Sequence, residues 1–224
     1  MDGPDAGADG VLAHAAPVAR DVADEVARLA GSLRAIDPAL DPAALLLSDA
    51  AAGGKGLRGA LVRWAYAAHG GGDAADVRGA AVAVELVHLS ALIHDDLIDR
   101  SDLRRGRPSV YVRAAASHPA PTSAAAVEHG RNVAVLLGDV MLAAAGGPLR
   151  GCTVDAGALD AAHTAFVRLQ VEVMAGQYLD VDAAARRSAD PERALTIATL
   201  KSGRYSVARP LELGALLAVL DHDE

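Results

Sequence analysis

From Ala74 to Asp99 the chain runs without a proline and with one internal glycine, Gly79, and it is apolar on nearly every face. A stretch of this kind is long enough for a central, buried helix, and a buried helix carries polar groups for a reason. Here they are aligned: Glu85, His88, Leu92, Asp95 and Asp99 follow one another at steps of three and four, which is one stripe of a helix. A solvent-facing stripe is the bland alternative. The apolar flanks, Val82, Val84, Leu86, Val87, Leu89, Ile93, Leu97 and Ile98, oppose it. The carboxylates are therefore expected to look into a cavity with apolar walls.

Asp95 and Asp99 lie one turn apart and can aim oxygen ligands at a common point, with Asp96 beside them. Hard oxygen donors in that arrangement suit Mg²⁺, which is usually held by one or two carboxylates together with waters and substrate phosphates. The stretch continues R-S-D-L-R-R-G-R-P, and Arg104 and Arg105 offer planar forks for phosphate oxygens. A second constellation, G-G-K-G-L-R over residues 53–58, places two glycines before a helix and sets Lys55 and Arg58 three apart, expected on one face, as in an anion cradle. It lacks the spacing of a nucleotide-binding P-loop. Asp139 after Gly138, Gln177 with Asp180, and Lys201 with Ser202 before Tyr205 are further polar groups on apolar helices.

Composition narrows the chemistry. Aromatic residues are only 3% of the 224, and alanine supplies much of the 52% that is hydrophobic, which favours close-packed helices over sheets. Lys and Arg number 21 against 29 Asp and Glu, a formal charge of -8, with no basic stripe interleaved with aromatics, so nucleic acid is not an expected partner. Cys152 stands alone, which excludes a disulfide framework within one chain and fits a reducing cytoplasm. His14, His69, His118, His129, His163 and His222 show no zinc-ligand spacing. No uninterrupted apolar run reaches the length of a membrane span, and the acidic N-terminus is unlike a signal peptide.

Along the chain, residues 1–17 are expected to form a mobile tail and 18–224 one helical domain. Helices are expected over Val18–Leu33, Ala43–Ser48, Leu61–Tyr66, Ala74–Asp99, Asn132–Ala145, Val154–Ala185 and Pro191–Leu220, with Ser202, Gly203 and Pro210 disturbing the last. Residues 117–130, with two prolines, read as a surface loop.

Taken in order, G-G-K-x-L-R, H-x-x-x-x-x-H-D-D-x-x-D-x-x-x-x-R-R-G-R-P, G-D, G-Q-x-x-D and K-S, this sequence resembles a trans-isoprenyl diphosphate synthase (polyprenyl synthetase) from roughly Val18 to Leu220. The resemblance implies an all-α fold of the isoprenoid synthase type, a bundle of long helices around a central cavity with no sheet, usually a homodimer. It implies a prenyltransferase that ionises an allylic diphosphate with Mg²⁺ and lets isopentenyl diphosphate attack the cation. By resemblance, Asp95 and Asp99 are the magnesium ligands and Asp96 supports them. Arg104 takes the allylic diphosphate, and Arg105 takes isopentenyl diphosphate with Lys55, Arg58 and His88. Lys201 touches the allylic diphosphate, Ser202 helps position the cation, and Gln177, Asp180 and Tyr205 line the site.

One departure stands out. The family carries a second aspartate-rich motif on a later helix, and no D-D-x-x-D follows Lys201 in this chain; the final D-H-D-E has neither the spacing nor the helical context. The implied fold lacks its last helices and its activity alone is open. Small Ser90 and Ala91 just before Asp95 leave the cavity floor unclosed there, which implies a C20 product, geranylgeranyl diphosphate, or longer. The rival readings are a non-catalytic subunit of such a synthase and a class I terpene cyclase. G-G-K-x-L-R and R-R-G-R-P oppose the cyclase, which has no isopentenyl diphosphate to bind.

Overall fold

The structure, a computed structural model, describes residues 8–218. They form α1 (Ala8–Ile36), α2 (Asp41–Ala51), α3 (Leu57–Ala68), α4 (Arg78–Ile98), α5 (Val110–Ala116), α6 (Ala124–Leu149), α7 (Ala156–Arg186), α8 (Pro191–Ala198) and α9 (Arg209–Ala218), with a 3-10 turn at Pro38–Leu40. A π-helical segment, Thr199–Ala208, joins α8 to α9. The expected absence of any sheet is corrected in one place. β1 (Leu103–Arg104) and β2 (Arg107–Pro108) pair antiparallel.

The expected tail over residues 1–17 is also corrected, because α1 is already helical from Ala8; residues 1–7 lie outside the described part. Ala15, Val18, Val22, Val26 and Ala30 are buried at steps of three and four, so the apolar stripe continues upstream of Val18 through an alanine-rich run and carries Pro17 inside it. Likewise α6 starts at Ala124 and not Asn132, since the Ser123 hydroxyl accepts from the Ala126 amide at 3.1 Å and caps the helix. The loop shrinks to residues 117–123. Asp155 and Asp190 cap α7 and α8 in the same way.

The expected helix over Pro191–Leu220 breaks where its disturbing residues foretold, and residues 219–224, the D-H-D-E among them, lie outside the described part. Pro210 offers no amide to the ladder, and its ring crowds the carbonyl four residues back; the chain relieves this by widening the turn, with Arg209 N–H reaching the Arg204 carbonyl.

The described chain divides into two compact units. One takes in residues 8–18, 56–84 and 147–218, the other 19–55 and 85–146. In the first, α3 packs on α9 so closely that a side chain at Gly214 would strike the Val62 carbonyl, and Val62, Ala65, Leu213 and Leu217 fill the contact. An ion-pair network ties α7 to α9: Arg209 donates to Glu172 at 2.6 and 2.8 Å and to Glu212 at 2.5 Å, and Arg168 also bonds Glu212. In the second unit, Leu46 and Leu47 of α2, Leu86, Leu89 and Ile93 of α4, and Ala134, Leu137 and Met141 of α6 are buried. Length and mean hydropathy alone would let α6 cross a membrane, although Asp139 interrupts its apolar run; 33% of its most apolar stretch is buried within the protein.

The Arg209 guanidinium holds the Glu172 carboxyl below the usual carboxylate range. A depressed folded value means the pair's stabilisation is present above the unfolded carboxylate value and is lost as pH falls through the folded one. Glu172→Gln should therefore lower stability by about 1–3 kcal/mol at neutral pH, and urea titrations should show the gap narrowing below about pH 4. A gap that stays constant with pH would count against the pair.

Candidate active site

Helix α4 ends through its own backbone. Arg100 takes a left-handed conformation (φ 55°), and the Ser101 amide reaches back to the Asp96 carbonyl at 2.8 Å, which closes the last turn. Within that turn the three carboxylates differ. Asp95 is half-buried, Asp99 is exposed, and Asp96 is 3% exposed. A carboxylate so buried requires a partner, and Arg104 supplies it, donating from Nε at 2.9 Å and again from Nη2. The same Nη2 lies 3.8 Å from Asp95. Asp96 raises the Arg104 pKa above its ordinary value, so the guanidinium stays charged.

Arg104 and Arg105 ride on the small hairpin. Its loop is Arg105-Gly106, both at positive φ (53° and 75°), between paired Arg104 and Arg107. Two such residues in sequence make the tight turn whose twist suits a two-residue hairpin; glycine takes its place without cost and Arg105 does not. Arg105 is steadied at the end of α2, where its Nη1 donates to the carbonyl of the capping residue Ala52 at 3.2 Å. One turn earlier, Asp49 bonds Arg113 of α5 and lies 3.5 Å from Arg107 of β2. Arg113, then Arg107, pull the Asp49 carboxyl below the usual range. These groups surround a cavity of about 60 Å³ with Leu89, Leu92 and Ile93 on one wall, and the buried Ser109 hydroxyl there has no hydrogen-bond partner in the protein. The apolar walls lie beside Asp96; Asp95 and Asp99, which were expected to face them, do not line this cavity, and Asp99 is exposed.

Lys55 and Arg58 are corrected. Gly56, left-handed at φ 65°, precedes the helix, so Lys55 lies outside α3, exposed, while Arg58 sits half-buried in its first turn; the two do not share a helix face. Arg58 donates from Nη2 to the Ser206 hydroxyl at 2.8 Å, and its Cζ lies 4.9 Å from the centroid of the Tyr205 ring. Lys201 donates to Asp180 at 2.6 Å. Asp180, Lys201 and the exposed Ser202 line a groove of about 510 Å³ with Arg187 and Arg193. The Gln177 amide nitrogen is buried without a hydrogen-bond partner. A native orphan of that kind calls for an explanation, and a bound ligand is one. His88 is half-buried on α4, and neighbouring His94 bonds the Val135 carbonyl at 3.1 Å and lies 3.6 Å from Asp139.

Sequence reasoning missed Asp49, Ser109 and Ser206. Asp49 left a signal, since a carboxylate in the last turn of a helix opposes the helix dipole and requires a cation nearby. Ser206 left none.

If Asp96 anchors the hairpin, Asp96→Ala should leave the Arg104 charge poorly partnered and cost about 1–3 kcal/mol in urea unfolding. Trypsin should then cut after Arg104 and Arg105 faster than in the parent chain. Unchanged cleavage would remove the anchor role.

Comparison with known proteins gives the family. The polyprenyl synthetase family profile matches residues 43–224. Geranylgeranyl diphosphate synthase of Methanosarcina mazei is 33% identical over 166 residues, which is 74% of this chain and 46% of that protein. The (2E,6E)-farnesyl diphosphate synthase of Mycobacterium tuberculosis is 35% identical over 165 residues, 74% of this chain and 41% of its own. The chain thus spans less than half the length of these relatives. A solved geranylgeranyl pyrophosphate synthase from Corynebacterium glutamicum, complexed with isoprenyl diphosphate and magnesium, superposes with a TM-score of 0.79 at 32% identity, covering 90% of this chain and 59% of that one. A predominantly helical chain with this ordered set of motifs, matched by the family profile over most of its length, belongs to the polyprenyl synthetase family.

Proposed function

We propose that this chain contributes to a trans-prenyltransferase that condenses isopentenyl diphosphate with an allylic diphosphate, giving a C20 or longer product in the cytoplasm. The observation that carries the reading is the end of α4, where Asp95 and Asp99 lie one turn apart and Asp96 spends its charge on Arg104. This donor set fits Mg²⁺. Among the described residues no group of three or more His, Cys, Asp or Glu side chains converges into a cage, and Mg²⁺ asks for none, because it takes one or two carboxylates and completes its shell with water and phosphate oxygens. Asp95 and Asp99 would hold it, with Asp96 supporting them through Arg104. Once bound, the metal would neutralise the departing diphosphate.

The remaining roles belong to the chain's own side chains. In the unit that carries the end of α4, Arg104 presents its unused edge to the allylic diphosphate, and Arg105, Lys55 and His88 take isopentenyl diphosphate. In the other unit, Arg58 binds isopentenyl diphosphate, Lys201 binds the allylic diphosphate, and Ser202 and Gln177 orient the substrate. Tyr205, buried beneath Arg58, serves as its support. Small Ser90 and Ala91 leave room below the carboxylates for a chain longer than C15. The rival reading is a non-catalytic subunit that needs a partner for turnover.

The same assay separates the two. The purified chain, Mg²⁺, labelled isopentenyl diphosphate and farnesyl diphosphate should yield elongated product, and Asp95→Ala should reduce it by roughly a hundredfold or more. No product from the parent chain overturns autonomous synthesis, and full activity in the variant overturns the metal role.

We also propose a homodimer. On α7, Val167, Val171, Met174, Tyr178 and Val181 recur at steps of three and four and are exposed, Tyr178 by 71%. A stripe that apolar is the mark of a surface that another chain covers. Val171→Asp should convert a dimer to a monomer in sedimentation velocity, and a wild-type monomer or a variant dimer would reject this face.

A further inference from the structure

Arg58 stands in the first turn of α3, yet two of its contacts come from far along the chain. Its Nη2 donates to the Ser206 hydroxyl at 2.8 Å, and its Cζ sits 4.9 Å from the centroid of the Tyr205 ring, which is 4% exposed. The two contacts restrain different freedoms. The aromatic face attracts the guanidinium and fixes where its plane lies, while the hydroxyl claims one N–H and fixes how the fork is turned within that plane. Adjacent residues of an α-helix diverge by about 100°, and the wider π turn brings Tyr205 and Ser206 closer in direction, so one guanidinium can meet both.

The π geometry has a second effect. Its hydrogen bonds join residues five apart, so such residues stack one above the other. Lys201 and Ser206 are five apart on this segment. Hence the residue that turns Arg58 and the cation Lys201 share a face of the π segment.

We infer that Ser206 is a positioning residue: its hydroxyl, one π turn from Lys201, fixes how the Arg58 guanidinium is turned and so how it meets a diphosphate. This rests on the proposed reading that Arg58 binds isopentenyl diphosphate. Ser206 itself touches no substrate in this account. Its removal should loosen an arginine without removing charge.

Two measurements on Ser206→Ala, Ser206→Thr and Arg58→Lys test it. Side-chain ¹⁵N spectra, with the Arg58 signals assigned by their loss in Arg58→Lys, report rotation of its guanidinium. Titration calorimetry with Mg²⁺ reports the affinity for isopentenyl diphosphate. Ser206→Ala should speed the rotation and weaken affinity about tenfold, while Ser206→Thr, which keeps the hydroxyl, should restore both; equal urea midpoints would exclude a folding effect. Faster rotation with unchanged affinity overturns the inference while leaving the function standing. Unchanged rotation overturns it whatever the affinity. A parent chain that does not bind isopentenyl diphosphate overturns the proposed function, and the rotation alone then decides whether Ser206 orients Arg58.

Discussion

A carboxylate buried in the last turn of an apolar helix is tolerable only when a cation meets it, and at the end of α4 that cation is Arg104. Much of the local architecture follows from this pair. Asp96 points inward among Leu89, Leu92 and Ile93, which line the same cavity, so the hairpin must fold back over the helix end to deliver the guanidinium. The hairpin in turn needs a two-residue reversal, which places Arg105 in a left-handed conformation. That conformation is unfavourable for a residue with a Cβ, and the bond from Arg105 to the Ala52 carbonyl, together with Asp49 beside Arg107 and Arg113, helps hold it. Burial of one carboxylate thereby aligns an arginine-bearing loop beside Asp95.

The other unit solves a different problem with the same economy. Helix α9 must pack on α3 at a distance set by Gly214 against the Val62 carbonyl, and Arg209 must reach Glu172 on α7. Pro210, next to Arg209, cannot serve as an ordinary helical residue, and the turn ahead of it widens into the π segment. A π segment costs backbone geometry and tends to occur where function uses it. Here it carries Lys201, Tyr205 and Ser206.

Legibility in the sequence tracks the range of the physics involved. The helices were readable because burial repeats at a helical period: Val18, Val22 and Val26, or Leu86, Leu89 and Ile93, are buried where that spacing puts them. The break near Pro210 was readable because proline acts on its own turn. The upstream start of α1 is not legible because the first ten residues, rich in Gly, Asp and Ala with a proline, mask a stripe that Ala15 continues. The expectation that Lys55 and Arg58 share a face failed through one backbone angle, at Gly56. Asp96 was seen only as a companion of its neighbours, since nothing local says that Arg104, eight residues on, folds back onto it. Ser206 was invisible for the same reason, with its partner 148 positions away.

The paired cations bear on how a chain of formal charge -8 can present positive charge to an anion. A solvated, wandering arginine would have to be desolvated and ordered at the moment of binding, at a cost in entropy. Arg104 avoids part of that cost because Nε and Nη2 are already committed to Asp96, and of the five donors of a guanidinium the ones left over point in a direction the pair has set. Arg58 meets a neutral hydroxyl and a ring. Lys201 donates to Asp180. The difference between these anchors matters: a carboxylate partner subtracts from the field that an incoming diphosphate meets, whereas a hydroxyl orients without subtracting. At Arg104 the carboxylate anchor fixes direction at some loss of field, and at Arg58 the Ser206 hydroxyl fixes direction without itself adding to that loss.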